Sequence, residues 1–182
     1  MAEGFFAGPS AVFMPKVIAW ISSGVWETLI SEADRRYPLE TGGALVGYWS
    51  DAATVVVTES VGPGPASDHD RYSYRHDHDW EASQIALSYE RSGRSEVYIG
   101  DWHTHPDATS GDLSGTDRRS IRRVIKSREA RLPHPLMAVL FGPLGNWRVA
   151  VWEAELKSGW RWPRRLSVHP ADLKLFHSSQ AR

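Results

Sequence analysis

Two histidines separated by one residue, His103-Thr104-His105, stand before Pro106 and, after a short polar segment, the run Ser114-Gly115-Thr116-Asp117. In an extended strand, residues i and i+2 project to the same face, so the two imidazoles address one point in space. Asp117 is followed at i+4 and i+7 by Ile121 and Val124, and on a helix this spacing turns its carboxylate toward the core. A carboxylate withdrawn from water is costly unless a cation offsets it. Two nitrogens and one carboxylate oxygen fill three tetrahedral positions around zinc and leave the fourth to water, the pattern of a catalytic rather than a structural ion. Zinc in that place would lower the pKa of water from about 15.7 to about 7. Glu40, far upstream and just before Gly42-Gly43, is the candidate that accepts the proton and returns it to a leaving amine. Ser114 is the candidate that steadies the oxyanion of a tetrahedral intermediate. The chemistry implied is hydrolysis of an amide.

Each of these residues also has a plainer reading. Ser114-x-x-Asp117 is a helix capping box as it stands. His-x-His can be a solvated strand end, and it is the conjunction with Glu40, Ser114 and Asp117 in this order that favours a metal. A second pair, His76-Asp77-His78-Asp79, reads as a loop entering a helix whose first turn carries acidic residues that suit the dipole. Trp102 beside the histidines, with Trp20, Tyr48 and Trp49, fits a core better than a substrate groove.

Composition removes other classes of function. The chain has 182 residues, 41% of them hydrophobic and 24% charged, the balance of one globular domain. Cysteine is absent, so thiol nucleophiles, thiolate metal sites and disulfides are excluded. With 21 Lys and Arg against 22 Asp and Glu, no surplus of charge directs the protein to nucleic acid or to a membrane. The arginine-rich segment from Arg118 to Lys126 reads as the solvated face of an amphipathic helix. No apolar run approaches the roughly 20 residues of a membrane span, and a soluble, cytoplasmic protein is expected. A serine hydrolase is disfavoured, because no Gly-x-Ser-x-Gly elbow occurs.

The elements that must position these residues follow from periodicity. Residues 1–15 have neither helical nor strand period and are expected to form a flexible leader to a domain spanning 16–182. Val17–Ile21 reads as a strand, and Ser22 and Ser23 as caps of a helix that ends at Pro38. Gly42–Trp49 suits a strand buried on both faces, with Thr54–Val61 as its hairpin partner. Gly62-Pro63-Gly64-Pro65 opens a stretch to Arg75 expected to be a long loop without a ladder, bordering the cleft and guiding an extended tail. Asp79–Arg91 reads as a helix, Val97–His103 as a strand, Asp107–Leu113 as a loop and Ser114 as the start of the basic helix. Leu136–Phe141 and Trp147–Glu155 form a hairpin around Gly142-Pro143-Leu144-Gly145. A short strand around Trp160–Trp162 and a helical turn after Pro170 complete the expectation. Helices interleaved with hairpins predict a single α/β domain with a mixed, partly antiparallel sheet flanked by helices.

Taken together, Glu40-Thr41-Gly42-Gly43-Ala44-Leu45-Val46-Gly47, His103-Thr104-His105-Pro106 and Ser114-Gly115-Thr116-Asp117 resemble the JAMM/MPN+ zinc metalloproteases, whose signature is an upstream Glu, His-x-His-Pro and Ser-x-x-Asp. The likeness covers most of Lys16 to Glu155. It implies the JAB1/MPN, cytidine-deaminase-like fold, zinc held by His103, His105 and Asp117, Glu40 as acid/base and Ser114 as oxyanion partner. The run from Pro106 to Ser114 is one residue longer than the commonest family form. The resemblance further implies cleavage of the peptide or isopeptide bond after the C-terminus of a ubiquitin-like protein. Glu-Thr-Gly-Gly, Gly-Pro-Gly-Pro and Gly-Asp-Trp-His-Thr-His-Pro are similar to the deconjugating proteases of type II CBASS and Bil anti-phage operons. The partners implied are a ubiquitin-like protein or its conjugate and the E1-like and E2-like enzymes of the same operon. Two alternatives remain at this level: a non-catalytic scaffold of the same fold, and a peptidase that processes a sulfur-carrier protein.

Overall fold

The computed structural model describes residues 16–157 and 164–177. The leader expected over 1–15 and the strand expected around Trp160–Trp162 lie outside the described residues.

The chain begins with β1 (Ile18–Ser22) and α1 (Ser23–Arg36). The Ser22 hydroxyl accepts a hydrogen bond from the Val25 N–H at 3.2 Å, satisfying one of the free donors of the first helical turn. Next come β2 (Gly42–Asp51) and β3 (Thr54–Val61), the expected hairpin. Between Gly62 and Arg75 the expectation of an unladdered loop is corrected: β4 (Asp68–His69) and β5 (Tyr74–Arg75) pair antiparallel. The ladder begins after the prolines at 63 and 65, so no missing N–H falls within it. Then follow α2 (His78–Arg91), β6 (Val97–Pro106), α3 (Gly115–Lys126), β7 (Leu136–Gly142), β8 (Arg148–Lys157) and β9 (Arg165–Phe176).

The helical turn expected after Pro170 is also corrected, since β9 runs through it to Phe176. Ile18 to Ser22 of β1 pair in parallel with Asp172 to Phe176. This long-range pairing prevails over local turn propensity, because an unpartnered β1 edge would leave its backbone groups unsatisfied. β9 thereby closes a seven-stranded barrel in the order β1-β3-β2-β6-β7-β8-β9. The sheet is mixed as expected, with β1–β3, β1–β9 and β6–β7 parallel and the other neighbours antiparallel.

Leu29 and Ala33 of α1 share the main core with Leu45, Ile99, Trp102 and Leu140. Ile121 of α3 lies over Met137, Val139 and Ala154. Trp80 and Ile85 of α2 cover Ala44, Val46 and Val61. Thus β2 is buried on both faces from Gly42 to Gly47. Among the described residues, no helix is long and apolar enough to cross a membrane.

One irregularity sets the direction of everything after it on β6. Leu45 pairs with Gly100 and Val46 with Tyr98, so Ile99 is passed over in a bulge. Ile99 and Trp102 consequently both enter the main core, while Asp101 turns to the other face and receives the Tyr98 hydroxyl at 2.7 Å. His103 and His105 follow Asp101 on that face. Gly100 sits at φ +149°, and a Cβ there would overlap the backbone of Leu136 on the neighbouring strand. G100A is therefore expected to destabilise the fold by about 3 kcal/mol or more, as a lowered midpoint in urea unfolding; an unchanged midpoint would contradict the bulge.

Candidate metal centre

β6 lies between β2 and β7, and at the site its register fixes His103 opposite both Gly42 and Val139. Thr41 and Thr104, both fully buried, form a reciprocal clasp. The Thr41 N–H donates to Thr104 Oγ1 at 2.9 Å, and the Thr104 N–H donates to the Thr41 carbonyl at 2.8 Å. The Thr41 hydroxyl donates to Glu32 at 3.3 Å, tying the segment after α1 to the helix it leaves. Glu32, almost wholly buried, is itself paired with Arg35 and Arg36.

On this frame the structure brings His103, His105 and Asp117 together, with one ligand atom of each within 4.8 Å of the others. His103 Nε2 and His105 Nε2 are 3.0 Å apart. Asp117 Oδ1 is 3.4 Å from His103 Nε2, and Oδ2 is 3.7 Å from His105 Nε2. A tetrahedral ion with bonds of about 2.0–2.1 Å holds its ligands roughly 3.3 Å apart, so the three separations fit one small divalent cation. The donor chemistry fits too. Burial and the neighbouring His103 push His105 below the ordinary histidine pKa, which leaves a neutral ring with a lone pair to give. Burial acts to raise Asp117, but hydrogen bonding to His103 and Ser114 holds its carboxylate well below the usual range.

Asp117 has a second task at the same time. Its Oδ2 accepts the Ser114 N–H, and Ser114 Oγ accepts the Asp117 N–H at 3.2 Å, a complete capping box. The capping and ligand readings of this motif therefore coexist. Ser114 is exposed, and the cap occupies a lone pair of its hydroxyl, leaving the O–H free to donate. The longer spacer before it is absorbed in the loop. Asp107 adopts φ 61°, its N–H donates to the Gly142 carbonyl at 2.8 Å, and the Trp152 indole N–H binds the Gly111 carbonyl at 2.9 Å.

Glu40 stands outside the three-residue group but within its field. Burial pushes its carboxyl up to about 7, opposed by His103 and reinforced by the negative Asp117 and Asp70. A proton acceptor and donor at neutral pH needs a value in this region.

The remaining candidates separate cleanly. Trp102 is core, its indole N–H bonded to the Val61 carbonyl at 3.3 Å. Tyr48 and Trp49 lie at the end of β2 remote from Gly42; Trp49 packs partly buried against the core, but Tyr48 is exposed, which corrects its expected place in the core. His76 and His78 join no metal-binding group among the described residues. His76 instead binds Glu81 through Nδ1 at 2.8 Å, and the Asp77 side chain caps α2.

Sequence reasoning missed Asp101 and the contacts of the β4–β5 hairpin. Asp101 is two positions before His103, so strand period alone put it on the metal-facing side. Nothing local signalled the hairpin: the Glu40 N–H donates to the Asp70 carbonyl at 2.8 Å, and the Glu40 carbonyl is bound by His69 Nδ1 at 2.9 Å. Arg71 spans from the Pro38 carbonyl at 3.1 Å to Asp107 at 2.7 Å.

A stability prediction follows from His76. Burial opposes its charge, but Glu81 and Asp101 outweigh that and raise its pKa. The stabilisation is complete below the unfolded value of about 6.5 and is lost as pH rises through the folded value. Urea unfolding at stepped pH should show the advantage of wild type over H76Q shrinking as pH rises above about 6.5; a constant difference would refute the charged pair.

The chain is similar in sequence and in fold to known proteins. A family model described as prokaryotic homologs of the JAB domain matches residues 22–160. A "probable metalloprotease y4qB" of Sinorhizobium fredii is 47% identical over 143 residues, 79% of this chain and 87% of that protein. A "CD-NTase/cGAS isopeptidase" of Enterobacter hormaechei is 29% identical over 71% of each chain. A protein of the same description from Vibrio cholerae is 36% identical over 94 residues, 51% of this chain and 58% of that one. The solution structure of protein DSY2949 from Desulfitobacterium hafniense superposes with a TM-score of 0.63 at 16% identity, covering 87% of this chain and 93% of that one, and so shares the fold. With the family model spanning the strand and helix that carry both histidines and the aspartate, this chain belongs to the prokaryotic JAB-domain family.

Proposed function

We propose that this chain is a zinc metallopeptidase that hydrolyses the amide bond after the C-terminus of a ubiquitin-like protein, in deconjugation or precursor processing, within a bacterial anti-phage system. The observation that carries the reading is the convergence of His103, His105 and Asp117 within 4.8 Å, beside a half-buried Glu40 whose carboxyl is pushed up to about 7. Relatives described as a metalloprotease and as CD-NTase/cGAS isopeptidases support both the reaction class and the isopeptide bond. A scaffold of the same fold that only binds partners would have no use for two imidazoles and a carboxylate held at ligand spacing.

His103, His105 and Asp117 would hold the ion. Bound zinc supplies Lewis acidity, which makes water a competent nucleophile near neutral pH. Glu40 would accept one proton from the attacking water as the oxygen of that water adds to the carbonyl carbon. The Ser114 O–H donates to the carbonyl oxygen as negative charge gathers there. When the C–N bond breaks, Glu40 returns the proton to the leaving amine, so the group ends as it began. The partners that go with this reading are a ubiquitin-like protein or its conjugate and the E1-like and E2-like enzymes of the same operon.

The test is cleavage of the ubiquitin-like protein encoded in the same operon, fused through its C-terminus to a reporter, with and without chelator and with zinc measured per chain. Chelation should abolish cleavage and zinc restore it; chelator-insensitive cleavage would defeat the mechanism. E40A should retain zinc and lose about 10²–10⁴-fold in kcat, whereas H103A and D117A should lose the metal as well. S114A should lose about 10²–10³-fold in kcat with KM nearly unchanged. A wild-type rate with only a stability loss of about 1 kcal/mol would reduce Ser114 to a helix cap.

A further inference from the structure

The strands that hold the metal ligands do not hold Glu40. The clasp with β6 begins at Thr41, and Glu40 is one residue beyond it. Both backbone polar groups of Glu40 are instead taken by consecutive residues of the β4–β5 hairpin: its N–H by the Asp70 carbonyl at 2.8 Å, its carbonyl by His69 Nδ1 at 2.9 Å.

We propose that His69 is a positioning residue for Glu40: its ring fixes the Glu40 peptide, and through it the direction from which the carboxylate reaches the reacting water and the leaving amine. The inference rests on the acid/base role given to Glu40 above. A carbonyl can only accept, so Nδ1 must carry the proton of this bond. Nε2 is then left buried and without a hydrogen-bond partner, a condition that costs about 1–3 kcal/mol. Asparagine could make the same bond from its amide nitrogen. The group that makes the bond is itself held in place. It lies 5.2 Å from the Tyr74 ring, centroid to centroid, and Tyr74 in turn covers Gly42, where any Cβ would meet that ring. Packing from Gly42 through Tyr74 therefore locks the orientation of His69, and His69 transmits that lock to Glu40. Rate is steeply sensitive to such placement, since a displacement near 1 Å can cost about 10²-fold.

The experiment uses the full-length zinc-loaded protein and the reporter fusion, with kcat, KM, zinc per chain and thermal midpoint measured for H69A, H69Q, H69N and, in parallel, E40Q. Asn places an N–H where Nδ1 stands and Gln does not. The expected result is a fall in kcat of about tenfold or more for H69A and H69Q, with KM and zinc content unchanged, and H69N within about threefold of wild type. Independently of activity, nitrogen NMR of the imidazole should show the Nδ1–H tautomer in wild type and in E40Q alike. The proposal is overturned if H69A turns over like wild type, if H69N is as slow as H69A, if the Nε2–H tautomer is found, or if the kcat losses track lost zinc. If H69A does not fold, the contrast of H69N with H69Q decides. E40Q at wild-type rate would overturn the acid/base reading itself, whereas an inactive E40Q with unimpaired His69 variants would overturn only the present inference.

Discussion

Two imidazole nitrogens 3.0 Å apart and a carboxylate within 3.7 Å of them do not assemble without a reason. Without an ion, one ring nitrogen must carry a proton for its neighbour to accept; to serve a cation, both must turn lone pairs on one point, so the fold must hold the three groups in place for either state. It does so with backbone rather than with side chains. β6 is hydrogen-bonded along both edges, to β2 and to β7, right up to the histidines, and the Thr41–Thr104 clasp ends the ladder one residue short of Glu40. A closed barrel has no free edge here through which the site could relax. The preorganisation needed to bind an ion tightly is thus a property of the sheet.

This explains what could be read from the chain and what could not. The convergence of His103, His105 and Asp117 was legible because strand and helix periods act over two to four residues, and the group uses them at those spacings, whereas Glu40, far upstream, was marked only by its place before Gly42-Gly43. The elements β1 to β3, α1 to α3 and β6 to β8 were legible for the same reason, each carrying its own period, caps or breakers. The sequence after Pro170 was not. Its strand conformation is imposed by β1, some 150 residues earlier, and Leu173 and Ala171 face the core only because that pairing exists. The β4–β5 ladder was hidden similarly: two-residue strands have no period, and theirs is held by contacts to Glu40, Pro38 and Asp107 far away in sequence. Gly100 carried a signal that was open to interpretation, since an isolated glycine within a strand often marks a bulge.

Asp117 shows how two demands can be met by one group without compromise. A helix N-terminus offers unsatisfied N–H groups and a partial positive charge, and the capping box answers both with one carboxylate. The same charge that answers the helix is what a cation requires on its third side. Oδ2 is oriented by the Ser114 N–H, so Oδ1 is aimed at His103 by the cap. The helix thus supports its own carboxylate: its first turn fixes Asp117, and Ile121 one turn later fixes the helix on the sheet. Removing the ligand would also remove the cap, and removing the cap would free the ligand to rotate. Glu40 has no such internal support. It lies after a proline, before the strand, and its orientation is delegated to a hairpin that is otherwise peripheral to the barrel. Glu40 is therefore the member of the group whose placement depends on contacts made outside the barrel.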